Sequence, residues 1–285
     1  MRLNHNINSL NLYRGYKKNL KSNETAIDRI SSGTKINSAK DNPNKIGQSE
    51  GFRIQIKSLE AAQRNLQDGV SMLRSADGAL QEVNDTLVRI KELAVSASDG
   101  SKSPQDVKTI QDEIDQMKKA IDDLASNTEF NGVKLIGDTE VSNNSYPNYR
   151  ELVTGAKVGD TMSVPLYNIS TNNLRDKDGN KFSDIDVTDR ANVGKAISMV
   201  DEVITTITDI RARYGALENK FEDSADRLAS NTQNVEKASS NIRDTDVAVE
   251  MAELARTQIL NQTQIALIAQ SNKFPQDALS VLKRI

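Results

Sequence analysis

A single histidine, His5, stands in an Asn-rich stretch at the start of this 285-residue chain. A Ser-His-Asp triad needs an imidazole base held by a carboxylate, and zinc sites commonly draw on several His or Cys ligands. One histidine and no cysteine offer poor material for either, and the missing thiols exclude disulfides and thiolate metal sites. We read His5 as a polar packing residue. Paired carboxylates recur, as at Asp112-Glu113 and Asp122-Asp123, but on helical surfaces they read as solvated faces. The run Asp176-Lys177-Asp178-Gly179-Asn180 suggests a calcium loop. An EF-hand loop needs Gly at its sixth position and a bidentate acid at its twelfth. Counted from Asp176, those positions are Lys181 and Val187, so the run reads as a hairpin turn. There is no H-E-x-x-H pair and no glycine-rich phosphate loop. The expectation is a protein without enzymatic activity, cofactor or metal.

The elements that position these residues are mostly helical. Aromatic residues make up 4% of the chain and Trp is absent, which suits thin helical packing better than a broad globular core. Leu59, Ala62, Leu66, Gly69, Leu73, Ala76, Leu80, Val83, Leu87, Ile90, Ala94 and Ala97 follow one another at alternating spacings of three and four. A stripe of this kind sustained over many turns predicts a coiled-coil seam. If Lys45–Ala97 is one helix it is roughly 80 Å long, at about 1.5 Å per residue, against a radius of gyration of about 19 Å for a compact globule of this size. The expectation is an elongated rod. Ser103, Pro104 and Asp106 then spell an N-cap, a first-turn proline and a capping-box carboxylate. Val107, Ile110, Ile114, Met117, Ile121 and Leu124 form the next stripe. Asn131-Gly132 marks a turn. From about Val133 to Asp189 the helical period gives way to short runs such as Thr161–Leu166, punctuated by Gly and Pro, which predict small strands and hairpins. The period returns at Val203, Ile207, Ile210, Tyr214, Leu217, Phe221, Ser224, Leu228, Asn231, Val235, Ala238 and Ile242. The final segment is less regular, and Pro275 is expected to break or bend it.

The two ends stand apart from the rest. Residues 1–45 carry a net charge of +6 and the remainder −9. No nucleic-acid module accompanies the basic stretch, and no apolar run reaches the roughly 20 residues that span a bilayer. Neither nucleic acid nor membrane is an expected partner. Near the start, Leu3, Ile7, Leu10, Ile27 and Ile30 lie among Asn and charged residues. Near the end, Ile259, Leu260, Ile265, Leu267, Ile268 and Leu282 lie among Gln and Ser. Each end has more apolar surface than one partner helix covers. Exposed apolar faces of this kind mark association sites, and we expect these residues to pack against other copies of the chain.

These features come with a family resemblance. Leu3-Asn4-His5-Asn6-Ile7, Ile30-Ser31-Ser32-Gly33-Thr34-Lys35-Ile36-Asn37-Ser38-Ala39-Lys40-Asp41, Ala62-Gln63-Arg64-Asn65-Leu66-Gln67-Asp68-Gly69-Val70-Ser71 and Phe130-Asn131-Gly132-Val133-Lys134-Leu135 resemble, in order, the N-terminal half of bacterial flagellin. Ile242-Arg243-Asp244-Thr245-Asp246 and Ala269-Gln270-Ser271-Asn272 resemble its C-terminal half. The resemblance spares roughly residues 138–190. After Asp41 the family usually has a run of small residues, where this chain has Asn42-Pro43-Asn44-Lys45.

The resemblance implies a structural subunit that self-assembles into the extracellular flagellar filament for motility after unfolded export through the flagellar type III channel. It implies a mainly α fold. Terminal helical segments 1–44 and 243–285 would form the inner filament core. Segments 45–137 and 190–242 would form a helical rod, and 138–189 a short exposed β-rich insert. The implied partners are further copies of the chain, the flagellar cap, hook-associated junction proteins and an export chaperone on the C-terminal segment. Arg89, Leu93 and Glu113 match the family's patch for a host innate immune receptor, with Val88 and Lys91 standing where Gln and Arg are usual. A hook–filament junction protein, which shares the terminal motifs, is the alternative reading.

Overall fold

The computed structural model describes residues 6–141, 144 and 146–282, the side chains of 278, 279, 281 and 282 excepted. The fold is mainly α, with long helices from both chain ends and small antiparallel hairpins between them. In chain order the helices are α1 (Ile7–Ser32), α2 (Pro43–Ala97), α3 (Pro104–Asn127), α4 (Arg190–Arg243) and α5 (Val247–Leu282). Among the described residues, four short strands lie between α3 and α4: β1 (Glu129–Phe130), β2 (Val133–Lys134), β3 (Asn148–Val153) and β4 (Thr161–Leu166). The chain forms two compact units, Lys57–Thr232 and the pair Met1–Ile56 with Gln233–Ile285.

The central unit is organised around the apolar stripe of α2, all twelve positions of which are buried. Gly69, the stripe's one position without a side chain, is explained by its neighbours. A Cβ there would lie 2.9 Å from Leu152 Cδ2 and 3.1 Å from the Phe221 ring, so side chains from β3 and α4 fill the space. Antiparallel α4 is matched to α2 by ion pairs at the rim: Arg211 Nε to Asp77 at 2.8 Å, Arg74 to Glu218 and Glu222 at 2.5 and 2.8 Å, and Lys91 to Asp201 at 2.6 Å. Asn231 is exposed and Thr232 is buried instead, so the α4 stripe shifts by one residue there. The Thr232 hydroxyl satisfies itself on the Leu228 carbonyl at 2.8 Å.

The Ser103 capping box closes the start of α3, and the carboxylate of Asp106 is held below its ordinary pKa by hydrogen bonds from the Ser103 hydroxyl and N–H. Asn131 and Gly132 take φ of 49° and 78°, the double left-handed conformation of a two-residue hairpin turn, and pair Phe130 with Val133. Pairing of β3 with β4 runs from Asn148↔Leu166 to Val153↔Thr161. The insert is tied down chemically as well. Gln111 of α3 donates to the Ile185 carbonyl and accepts from the Val187 N–H, while Asp122 accepts from the Thr171 N–H and hydroxyl. Val164, Leu166, Tyr167, Phe182, Ile185 and Val187 belong to the same apolar core as the helices. Tyr214 donates to the Pro165 carbonyl at 2.9 Å, and burial pushes its phenol far above the ordinary value.

Candidate assembly surface

The terminal unit pairs α1 with α5, antiparallel, and its seam inverts the usual chemistry. Asn6 meets Ser271, Asn19 donates to Gln264 at 2.9 Å, Asn23 donates to Thr257 at 3.1 Å and Arg29 pairs with Glu250 at 3.0 Å. Thr257 is wholly buried and Glu250 is 9% exposed. Gly15 lets the two helices approach, since a Cβ there would stand 3.1 Å from Gln264 Nε2. Asn261 Oδ1 is buried with no hydrogen-bond partner, a cost that an apolar seam would not carry.

Three backbone hydrogen bonds hold the joint at one end of this pair. Gly33 closes α1 in the left-handed conformation (φ 68°) with its N–H on the Arg29 carbonyl at 2.8 Å. Lys35 N–H then donates to the Arg243 carbonyl, and Thr245 N–H to the Gly33 carbonyl. Asp41 accepts from the N–H groups of Asn37 and Ser38 and from the Ser38 hydroxyl. Those backbone bonds hold its carboxyl below the ordinary aspartate range. Asn42 Oδ1 accepts from Lys45 N–H at 3.1 Å, which makes it an N-cap for α2 with Pro43 in the first helical position, where a missing N–H costs nothing. The departure at Asn42-Pro43 therefore starts the long helix cleanly.

With these polar groups facing inward, many of the pair's large apolar side chains face out. Ile7, Leu10, Ile27, Ile265 and Leu267 are exposed, Ile259 is 65% exposed, and Ile30, Leu260 and Ile268 are half-buried. Leu3 and His5 lie outside the described residues, as does the Leu282 side chain. The structure adds Tyr13, Leu20, Val249, Met251 and the 74%-exposed Phe274 to the outward set. Their signal was present in the sequence, as apolar residues off the seam, but it is visible only once the seam is known to be polar. That seam, Glu250, Leu254, Thr257, Asn261, Gln264, Ile268 and Ser271, keeps strict four–three spacing. A search for apolar periodicity passes over it.

The second candidate patch lies on α2 and α3. Arg89 joins Glu92 at 2.9 Å and Glu113 at 3.5 Å, and all three are exposed. Leu93 is only 7% exposed and belongs to the core. The structure therefore brings Arg89 and Glu113 together at the surface and turns Leu93 away from it.

Among the described residues no group of three or more His, Cys, Asp or Glu could hold a metal ion, and no helix is long and apolar enough to cross a membrane. Residues 3–140 match the family model for the bacterial flagellin N-terminal helical region, and residues 197–282 that for the C-terminal helical region. A flagellin of Halalkalibacterium halodurans is 35% identical over 99% of this chain and its own full length, and one of Bacillus subtilis is 35% identical with the same coverage. A putative flagellar hook-associated protein from Vibrio parahaemolyticus shares the fold at a TM-score of 0.61 and 16% identity, over 72% of this chain and 100% of that one.

Proposed function

Because the chain belongs to the bacterial flagellin family, we propose that it is the polymerising subunit of a flagellar filament, with its two terminal segments as the polymerising element. The family is one of structural filament proteins, not enzymes. The observation that carries the mechanism is the inversion in the α1–α5 pair, where polar groups are spent inside and Ile7, Leu10, Ile259, Ile265, Leu267 and Phe274 are left in water. Fully burying one such side chain against another copy contributes about 1.5–3 kcal/mol. Ordering the backbone opposes this by about 1–2 kcal/mol per residue. The terminal pair is thus weak alone and strong when copies cover it, which favours growth at an end of a filament over loose association of free subunits.

Several finer roles follow from the same reading. Segments 1–44 and 243–285 build the inner core of the filament outside the cell. The chain is exported unfolded through the flagellar type III channel, a chaperone covers the C-terminal apolar set until export, and the cap and junction proteins contact the growing end. A host innate receptor would meet Arg89 and Glu113, with Leu93 packed beneath them. The deciding experiment is electron microscopy of purified full-length chain after seeding or salt addition, beside a chain lacking Met1–Lys40 and Asp246–Ile285. Filaments are expected from the first and none from the second. Filaments from the shortened chain, or none from the full one under any seeding, would overturn the proposal.

A further inference from the structure

Pro275 lies inside α5. A helix that continues through a proline forfeits the hydrogen bond from that residue to the carbonyl four residues earlier, here Ser271. The expected break does not occur, and the freed carbonyl supplies a reason. Asn6 Nδ2 donates to Ser271 O at 2.8 Å and lies 3.2 Å from Ser271 Oγ. At the same time Asn6 Oδ1 accepts from Ser9 N–H at 3.1 Å, which caps α1. Ser, Asp and Asn cap helices about equally well. Aspartate brings no donor and serine one hydroxyl on a shorter side chain, whereas the carboxamide carries the cap acceptor and an N–H donor for a carbonyl on separate atoms. The mid-helix proline and the amide at the cap therefore explain each other. One frees an acceptor on the seam and the other fills it.

The consequence lies in where this bond sits. The joint at Gly33–Lys35 and Arg243–Thr245 fastens one end of the α1–α5 pair with backbone hydrogen bonds. The Asn6–Ser271 bond fastens the other end, 265 residues apart in sequence. Ile7 and Leu10 follow directly on α1, and Leu267 and Phe274 flank Ser271 on α5, all exposed. We propose that Asn6 and Pro275 are positioning residues for polymerisation. They form a clamp that holds these four apolar side chains in one fixed arrangement for the next copy of the chain. This rests on the reading that the terminal pair polymerises, and the clamp can be tested with or without it.

The test is a double-substitution cycle in the full-length chain: the parent, Asn6→Ser, Pro275→Ala and both together. Serine keeps the cap and removes the amide donor. Alanine returns an N–H to the Ser271 carbonyl, so the donor from Asn6 is no longer required. Asn6→Ser alone is expected to raise the critical concentration for polymerisation by about three- to tenfold, the range for one lost hydrogen bond. With Pro275→Ala present, its effect should fall below about twofold. Amide hydrogen exchange at residues 9–12 of the unassembled chain reads the same cycle without polymerisation, and faster exchange in Asn6→Ser should be rescued by Pro275→Ala. Equal penalties in both backgrounds, or none in either, would overturn the clamp. A parent chain that never polymerises would overturn the filament reading, while the exchange cycle would still decide the clamp.

Discussion

In α2 the stripe from Leu59 to Ala97 is aliphatic or small at every position and buried throughout; in α5 the stripe from Glu250 to Ser271 has the same spacing, and five of its seven side chains are polar. The heptad is a geometric instruction that brings two helices together along one line. What stands on that line decides whether the pairing is complete. In the central unit it is, because Leu66, Leu80, Leu87 and Ile90 are wholly buried and nothing large remains to be covered along the seam. In the terminal unit hydrogen bonds hold the helices together and leave the hydrophobic effect unspent for another copy. A polar residue at a seam position gives up stability and gains specificity of register, and here the terminal pair does so along its whole length.

The contrast can be broken most severely in the central unit. Leu87→Ala removes a fully buried side chain and should lower the stability of the full chain by about 2–5 kcal/mol, read as a fall in the urea midpoint. If the midpoint does not move, the α2 stripe is not the core. Next in size is Leu267→Asp on the outward face. The free chain should unfold as the parent does, while the critical concentration for polymerisation rises by about tenfold or more, because about 1.5–3 kcal/mol of burial is forfeited. A variant that polymerises normally would remove Leu267 from the assembly surface. A third change makes the terminal seam resemble the central one. Asn23→Leu with Thr257→Val replaces a hydrogen-bonded pair by an apolar one and should raise the thermal stability of the terminal helices by about 1 kcal/mol, seen by circular dichroism. Loss of helix instead would mean that the polar seam is needed for pairing and not only for register.

The smallest effect is one of pH at the joint. The Asp41 carboxyl is held below its ordinary value of 3.8 by hydrogen bonds from the backbone of Ser38 and Asn37. A group lowered on folding stabilises the fold fully above its unfolded value and loses that contribution as pH falls through the folded one. The joint is therefore expected to hold at neutral pH and loosen below about pH 4. Asp41→Asn should flatten the acid side of the profile, measured as hydrogen exchange of the Asn37 and Ser38 amides. An unchanged profile would show that another carboxylate governs it.

Much of this was legible in residue order. The α2 stripe, the Ser103 capping box, the Asn131-Gly132 turn, the strand at Thr161–Leu166 and the Asp178-Gly179-Asn180 turn all appear where local pattern places them. Each depends on neighbours within a few residues, so sequence distance and spatial distance coincide. The differences have the opposite cause. Leu93 is buried because the core reaches around α2 beyond its main stripe. The stripe in α4 passes through Thr232, not Asn231, because a threonine hydroxyl can bond its own helix and an exposed asparagine need not. Pro275 leaves α5 unbroken because a donor 265 residues earlier answers the carbonyl it frees.

Sequence by itself determined the helices, their caps, the two ends as apolar segments in excess of one partner, and the absence of material for thiol chemistry. It could do so because helical period, capping and hydrophobic excess are local properties of a chain. Only the tertiary structure decided which side of α5 faces inward. A polar stripe at heptad spacing reads as a solvated face until a partner helix supplies its hydrogen bonds, and α1 supplies them from Asn6, Asn19, Asn23 and Arg29. With that side fixed, Ile7, Leu10, Ile27, Ile259, Ile265 and Leu267 are left on the outer faces of the terminal helices.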